Sequence, residues 1–544
     1  MQKYLRFIFG LNGYLKARMK PEEALELAEK VLKERVQNRE EKFLNLLEKG
    51  VFEYSKSPYL RLLSPKKITL RDIKGWVEEL GLEGALENLQ NEGVYFTVDE
   101  YKGKEEVSRN GLRFRLSEKE FDNPFLKAAY EVRSGATRSA GTRIRIDFDY
   151  LVQRSLYDAF LLSVHDVLNS PIANWFPVFP GAPGINSSLR FARIGNPPQK
   201  WFTQVQKGYL KVNWEKRWGT NYIIYMSRLL GVPMAKPEFV DLNNAYKVAK
   251  WASETLNYHP NCVVYTFASS AVRMCMAAKE HNLNIKGTRF FVTGEPLTPQ
   301  KKKEIEAAGA RTVPIYGISE AGVVAAGCNE AHPESDHCHY YKGTTGIINY
   351  KRTVPLCDCE VNSLLFTSIL YESPKILLNV EMGDYGEIEK KACSCRFGEL
   401  GYDMHLSGIR SFEKMTGEGV TFVDTDFIHI IEEILPARFG GKSTDYQLIE
   451  EETQNGLTRL NLLVSPRVGD VDEQQVIDTF VNGLKNSEDS PESWAQSGTE
   501  MWAQAGTIRI RRTYPIPTKR AKILPFHILK SAEFLETNRE DMSL

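Results

Sequence analysis

Hydrophobic positions along this chain recur at different periods in different stretches, and the changes divide it into three. Near the start, Leu25, Ala28, Leu32 and Val36 fall on one face at helical spacing, and Phe43, Leu44 and Leu47 continue the pattern. Pro21 opens this stretch, with Glu22 and Glu23 suited to the positive end of a helix dipole. Asp72 to Leu89 reads as more helix. These features predict a mostly helical N-terminal region over residues 1–115, a packing appendage whose helices could mediate a homodimer.

From about residue 125 to 405, short apolar runs alternate with amphipathic stretches. Cys262-Val-Val-Tyr265, Arg289-Phe-Phe-Val292 and Thr312-Val-Pro-Ile315 read as strands. A helix through Val272, Met276 and Ala277 and another from Pro299 to Ala308 separate them. Strand–helix–strand repetition predicts an α/β domain with parallel or mixed sheets and crossover helices. Ligands bind beyond the carboxyl ends of such strands. Gly294-Glu295 and Tyr316-Gly317 are each expected directly after a strand, and Asp384 after a strand over Leu377 to Glu381.

After about residue 410 the pattern changes again. Tyr446 to Glu451 and Leu457 to Val464 read as strands joined at Asn455-Gly456, a hairpin signal. A helix from Asp472 to Leu484 and a strand from Thr507 to Arg511 follow, with residues 486–506 read as a polar loop. The expected domains are 1–115, 116–408 and a small α+β unit over 409–544.

Composition narrows the class. Lysine plus arginine equals aspartate plus glutamate, 70 against 70, so no global field favours nucleic acid or an anionic membrane as partner. No apolar run approaches the roughly 18 residues of a membrane span. The apolar start, Tyr4 to Leu11, lacks a cleavage site, so a cytoplasmic location is expected. Eight cysteines in 544 residues are too few for a disulfide scaffold. Six of them, Cys328, Cys338, Cys357, Cys359, Cys393 and Cys395, crowd one stretch with His337 and His339, which favours a metal.

Five segments carry candidate chemistry. Arg133-Ser-Gly-Ala-Thr-Arg-Ser-Ala-Gly-Thr142 is rich in small, hydroxyl and arginine residues, so its amides and hydroxyls could hold phosphate oxygens, as a polar surface turn also could appear. Thr293-Gly-Glu-Pro296 and Tyr316-Gly-Ile-Ser-Glu320 lie one strand–helix unit apart. An aromatic face suits a purine, and a hard carboxylate suits a magnesium ion. Met382-Gly-Asp-Tyr-Gly386 offers a carboxylate able to accept from two ribose hydroxyls, and Pro517-Thr-Lys-Arg-Ala-Lys522 offers a point charge.

In this order the segments resemble the adenylate-forming superfamily of acyl-CoA synthetases and relatives, and within it the phenylacetate–CoA ligase-like branch. The resemblance implies ATP and Mg2+ as cofactors, a small carboxylic acid as substrate, and coenzyme A as acceptor. An acyl-acceptor protein thiol or an amine are the alternatives, and a non-catalytic nucleotide-binding scaffold is the reading outside enzymes. It implies that Ser134, Gly135, Thr137 and Arg138 hold phosphates, and that Gly294 and Glu295 line the adenine pocket through their backbone. Tyr316 would stack on adenine beside Gly317, Ser319 would touch phosphate, Glu320 would hold Mg2+, and Asp384 would bind ribose. Lys522, on a C-terminal unit that rotates between half-reactions, would bridge carboxylate and phosphate. The match is incomplete. Ala136 replaces a hydroxyl residue, Arg138 a glycine and Ala521 a glycine, and no lysine follows the phosphate loop, although Arg143 and Arg145 do. Gly408 stands where the family has an arginine; Arg410, two residues later, is the substitute, with Lys414 as hinge lysine. Some members of the branch hold zinc through cysteine, histidine and a Cys-x-Cys pair, which here implies Cys328, His339, Cys393 and Cys395 as a closed structural site. Cys357, Cys359, His337 and Cys338 compete for that role.

Overall fold

The computed structural model describes residues 2–109, 111–133, 142–178, 183–205, 214–354, 359–411, 414–417, 420–485, 492–516, 523 and 525–528. Its centre is a 12-stranded mixed sheet. Six strands form the parallel half: β1 (Ile172–Trp175), β2 (Lys200–Thr203), β3 (Pro237–Phe239), β4 (Cys262–Phe267), β5 (Thr288–Thr293) and β6 (Arg311–Ile318). Six more run antiparallel: β7 (Gly322–Ala326), β8 (Cys338–Tyr340), β9 (Thr345–Val354), β10 (Cys359–Ser368), β11 (Val380–Lys390) and β12 (Met404–Ser411). Across the sheet the order is β9-β10-β11-β12-β8-β7-β6-β5-β4-β1-β2-β3.

The parallel half is covered on both faces. All six residues of β4 are buried, as a continuous apolar run requires. Its crossover helices have local reasons to start. Asp147 accepts from the Tyr150 amide at 2.7 Å to cap Phe148–Val164, and Thr298 caps Pro299–Ala307, which begins with proline.

The N-terminal helices share the core of this sheet. Ala24, Ala28 and Leu32 of helix Pro21–Gln37 pack in one cluster with Leu156 and Phe160 of Phe148–Val164. Leu82, Leu86 and Leu89 of helix Leu70–Asn91 pack against Ile347, Leu364 and Leu365 of the antiparallel half. Asn379 donates to the Leu86 carbonyl at 2.7 Å, so polar ties reinforce that contact.

The C-terminal unit is built on a four-stranded mixed sheet: β13 (Tyr446–Glu452), β14 (Thr458–Val464), β15 (Ile508–Arg512) and β16 (Phe526–Ile528), in the order β15-β14-β13-β16. Helix Glu473–Lys485 packs on it. Part of the expected polar loop over 486–506 is in fact a helix, Glu492–Ala505. Met501, Trp502 and Ala505 supply its buried face, and the Trp502 ring stacks on Phe427 at 6.4 Å. The unit rests on the core beside helix Pro299–Ala307, where Thr298 donates to Glu452 and Gln300 to the Gln454 carbonyl. No described helix is long and apolar enough to cross a membrane.

Candidate active site and metal cluster

Strand β6 changes partners along its length, and this positions the first group of candidate residues. It pairs parallel with β5 from Arg311 to Pro314, then antiparallel with β7 from Ile315 to Ile318. Tyr316 and Gly317 therefore lie within the strand, whereas the sequence pattern predicts a strand end there. The reason is that one ladder takes over as the other stops. They still lie beyond the parallel ladder: Tyr316 is two residues past Pro314, as Gly294 is two past its partner Val292, just after the end of β5. The hairpin then turns through Ser319 and Glu320 to Gly322. Gly322 has φ +81°, and a Cβ there would stand 1.8 Å from the Tyr150 hydroxyl, so only glycine lets the hairpin seat on helix Phe148–Val164.

The Tyr316 hydroxyl donates to Asp384 Oδ2 at 2.8 Å. Burial, and then the Asp384 carboxylate, hold the Tyr316 phenol well above its ordinary pKa, so it stays a donor across the physiological range. Asp384 is not at a strand end: it sits inside β11, opposite Ser411 of β12, because that antiparallel ladder runs on from Asp384 to Lys390. The Ser411 hydroxyl donates to the Gly383 carbonyl at 2.9 Å. Glu320 is 7 % exposed, and Gly317 and Ser319 are exposed beside it.

Glu295 turns its carboxylate inward. Its side chain is fully buried, accepting from Ser269 at 2.5 Å and pairing with Lys301 at 3.2 Å. Only the backbone of Gly294-Glu295 is left to face a ligand. Arg410 is likewise engaged, donating to Asp336 at 2.8 Å rather than to Asp384. Asp336, which the sequence reading passed over, also accepts from the amides of Gly408 (3.0 Å) and Ile409 (3.1 Å). A lone aspartate 74 residues before Arg410 gives no pattern by which to find it. Asp336→Ala is expected to destabilise the fold by about 2–4 kcal/mol, because one buried carboxylate satisfies two amides and a guanidinium. Urea unfolding measures this, and a variant as stable as the parent would show that water replaces the carboxylate.

Ser134, Gly135, Thr137, Arg138, Lys414's side chain and Lys522 lie outside the described residues. The flanks of the first loop are described: Tyr130–Arg133 and Arg143–Ile146 pair antiparallel, with Arg133 opposite Arg143. Arg143 is held by Asp122 and Glu131, and Arg145 donates to the Leu126 carbonyl. Arg143 thus braces the base of the hairpin through two carboxylates, while Arg145 spends one N–H on a carbonyl and keeps its other donors.

Cys328, His339, Cys393 and Cys395 come together from the end of β7, from β8 and from the β11–β12 connection. Their four ligand atoms all lie within 4.8 Å of one another, a set that could hold a metal ion. Each sulfur also receives a backbone N–H: Cys328 from Glu330, Cys393 from Cys395, and Cys395 from Gly398. Such donors favour thiolates over thiols, but only Cys395 is pushed down on balance: the bond to Cys395, and then burial, hold the Cys328 thiol up, and burial holds Cys393 up. A Cβ at Gly398 would stand 1.9 Å from the Cys393 carbonyl, so this tight turn requires glycine. His339 Nδ1 lies 2.7 Å from the Tyr402 carbonyl, which fixes the proton there and leaves Nε2 to face Cys395 Sγ at 3.2 Å. Of the competing residues, Cys338 points to the Pro314 carbonyl and His337 stacks on His332 at 3.5 Å. Cys357 and the Cys359 side chain lie outside the described residues. His332, four residues after Cys328 and 3.3 Å from its sulfur, is a neighbour that this spacing could have signalled.

No protein-family model matches this chain, and no curated protein matches it. Solved structures do. A double mutant of o-succinylbenzoate CoA synthetase from Bacillus subtilis is 10% identical, with a TM-score of 0.41 over 73% of this chain and 68% of that one. The amide bond synthetase McbA from Marinactinospora thermotolerans is 10% identical, with a TM-score of 0.39 over 89% of this chain and 93% of that one. ATP-bound MatB from Rhodopseudomonas palustris is 10% identical, with a TM-score of 0.32 over 77% of this chain and 69% of that one. Likeness at this level says nothing about activity.

Proposed function

We propose that this chain activates a carboxylic acid with ATP and passes the acyl group to a thiol, coenzyme A being the acceptor that the resemblance favours. The observation that carries the reading is the Tyr316–Asp384 pair, an aromatic ring and a carboxylate bonded at 2.8 Å beyond the parallel ladder, with Gly294-Glu295 just after the end of the neighbouring strand β5. An adenine can stack on the ring while its ribose hydroxyls donate to the carboxylate. Tyr316 would orient Asp384 by taking up one of its lone pairs. A carboxylate oxygen of the acid then attacks the α-phosphorus of ATP, the bond to the bridging oxygen of the β-phosphate breaks, and pyrophosphate leaves. The acceptor thiolate next attacks the acyl carbon and AMP departs. The chain's part in the first step is positioning and neutralisation of developing charge. Ser134, Thr137 and Arg138 would hold phosphates, and Mg2+ held by Glu320 would offset their charge. The division of labour follows the proposed units: 116–408 binds nucleotide and acid, 409–544 brings Lys522, and 1–115 packs on the sheet. Zinc fits the Cys328, His339, Cys393 and Cys395 set, because three amide-supported sulfurs and one oriented imidazole supply four ligands and leave no open position. Its role would be structural.

The decisive experiment is carboxylate-dependent exchange of labelled pyrophosphate into ATP across a panel of acids. Exchange with any acid supports adenylation, and silence across a broad panel sinks it in favour of a nucleotide-binding scaffold. Asp384→Ala is expected to raise the KM for ATP roughly 10–100-fold, since the ribose loses a charged acceptor. Unchanged ATP affinity would return Asp384 to a purely structural partner of Tyr316.

A further inference from the structure

Beneath the hairpin that carries Glu320 lies a buried guanidinium with no bonded anion among the described residues. Arg154 is on the same face of helix Phe148–Val164 as Tyr150, and its Cδ comes within 3.9 Å of the position a Gly322 Cβ would take. It is only 4 % exposed. Its guanidinium lies 5.2 Å from the Tyr157 ring centre and 5.7 Å from that of Tyr341, two rings stacked at 4.3 Å. Among the described residues it meets no carboxylate within 4 Å and no hydrogen-bond acceptor. Arg35, equally buried, approaches the same Tyr157 ring to 5.5 Å, and its Nη1 is wholly enclosed without an acceptor. Nearby Arg190 is different, because Asp158, one turn on from Arg154 along the same helix, bonds it at 2.5 Å. Glu372, the other acid near Arg35, is pushed towards its neutral form by burial.

Aromatic faces offset only part of the cost of burying a cation, and the remainder normally falls to a paired anion. The position of this unpaired guanidinium is informative. Gly322 follows Glu320 by two residues, so their Cα atoms are at most roughly 7 Å apart. An acid held for activation beside Glu320 could therefore set a second anionic group on Arg154. We infer that the substrate is a carboxylic acid with a second carboxylate, read by Arg154 against the Tyr157–Tyr341 wall. This rests on the carboxylate-activating reading and narrows its substrate class.

The test is pyrophosphate exchange with dicarboxylic acids of graded length, aliphatic and aromatic, each beside its chain-matched monocarboxylic acid. The wild-type chain should prefer the best dicarboxylate at least about 10-fold in kcat/KM. Arg154→Met should collapse that preference by about 10²-fold through the KM for the acid, with Arg154→Lys restoring part of it. Equal use of mono- and dicarboxylates by the wild-type chain overturns the inference without needing any variant to fold. So does an Arg154→Met chain of normal melting temperature whose defect falls on the KM for ATP, which would assign the guanidinium to phosphate. Silence with every acid ends the activation reading instead. Calorimetric titration of the wild-type chain with the same dicarboxylates then decides Arg154 separately: binding weakened about 10-fold or more in Arg154→Met supports it, and no binding overturns it.

Discussion

Cys395→Ser, or removal of metal with a chelator, is expected to cost the chain about 4 kcal/mol or more of stability and to lower the first urea-unfolding midpoint accordingly. The size follows from where the four ligands stand. Cys328 leaves the end of β7, His339 is within β8, and Cys393 and Cys395 form the turn between β11 and β12. β8 is only three residues long and pairs with both β7 and β12, so few backbone bonds hold the middle of the antiparallel half. A metal ion would join these three elements at one point. Cys395 is also the most enclosed sulfur of the set, packed in the same apolar cluster as Phe397 and Tyr402, and its thiol is pushed down towards thiolate by Cys328 and then His339. Serine there removes a soft ligand and leaves a polar group facing two remaining thiols. Stability should suffer more than adenylation measured at saturating substrate, since a four-ligand site has no open position for chemistry. Elemental analysis gives an independent check, with about one zinc per chain expected. Metal-free protein with an unchanged unfolding midpoint would reduce the cluster to packed thiols.

Much of the parallel half was legible in the chain, for a definite reason. Strands buried on both faces become unbroken apolar runs such as Cys262–Phe267, and the amphipathic helices between them announce the crossovers. The antiparallel half was less legible. Its strands alternate and shift register, so Asp384 reads as a turn residue after a strand, although it sits inside an 11-residue one. Helix Glu492–Ala505 is hard to read because glutamine, serine, glycine and threonine dilute its apolar positions; among the described side chains Met501, Trp502 and Ala505 are its buried apolar ones. The candidate site divides in the same way. Tyr316, Glu320 and the Cys-x-Cys pair stand in short segments with recognisable spacing. The partners of Arg410 and Glu295, namely Asp336 and Lys301, are set by tertiary contacts and are not signalled by spacing. Arg154 is the extreme case. Nothing distinguishes it in the sequence from any helical arginine until its burial and its lack of a bonded anion among the described residues are seen together.

Lys522→Ala is expected to slow adenylate formation on the order of 10³-fold or more, while a supplied acyl-AMP is still consumed in the presence of acceptor. Lys522 itself lies outside the described residues, but both ends of its loop are tied to one strand. Before it, the Ile516 amide donates to Gln447 at 2.7 Å, and Gln447 returns a bond to the Ile516 carbonyl. After it, the Leu448 amide donates to the Pro525 carbonyl at 2.8 Å, and β16 pairs parallel with β13. The described residues on either side of Lys522, Ile516 and Pro525, are thus both tied to β13. In the proposed reaction two anions, the acid's carboxylate and the α-phosphate, would have to approach each other in the first half. A lysine between them stabilises the transition state more than either ground state, which is what makes the expected loss fall on kcat. The proposed thioester-forming half would need no such charge, because a mixed anhydride is already activated. A solvated basic turn of Lys519, Arg520 and Lys522 would behave differently, with alanine at 522 changing neither half. Single-turnover assays of the two halves separate these cases. A folded Lys522→Ala chain that adenylates at the parental rate, or one that fails equally in both halves, would remove Lys522 from the chemistry.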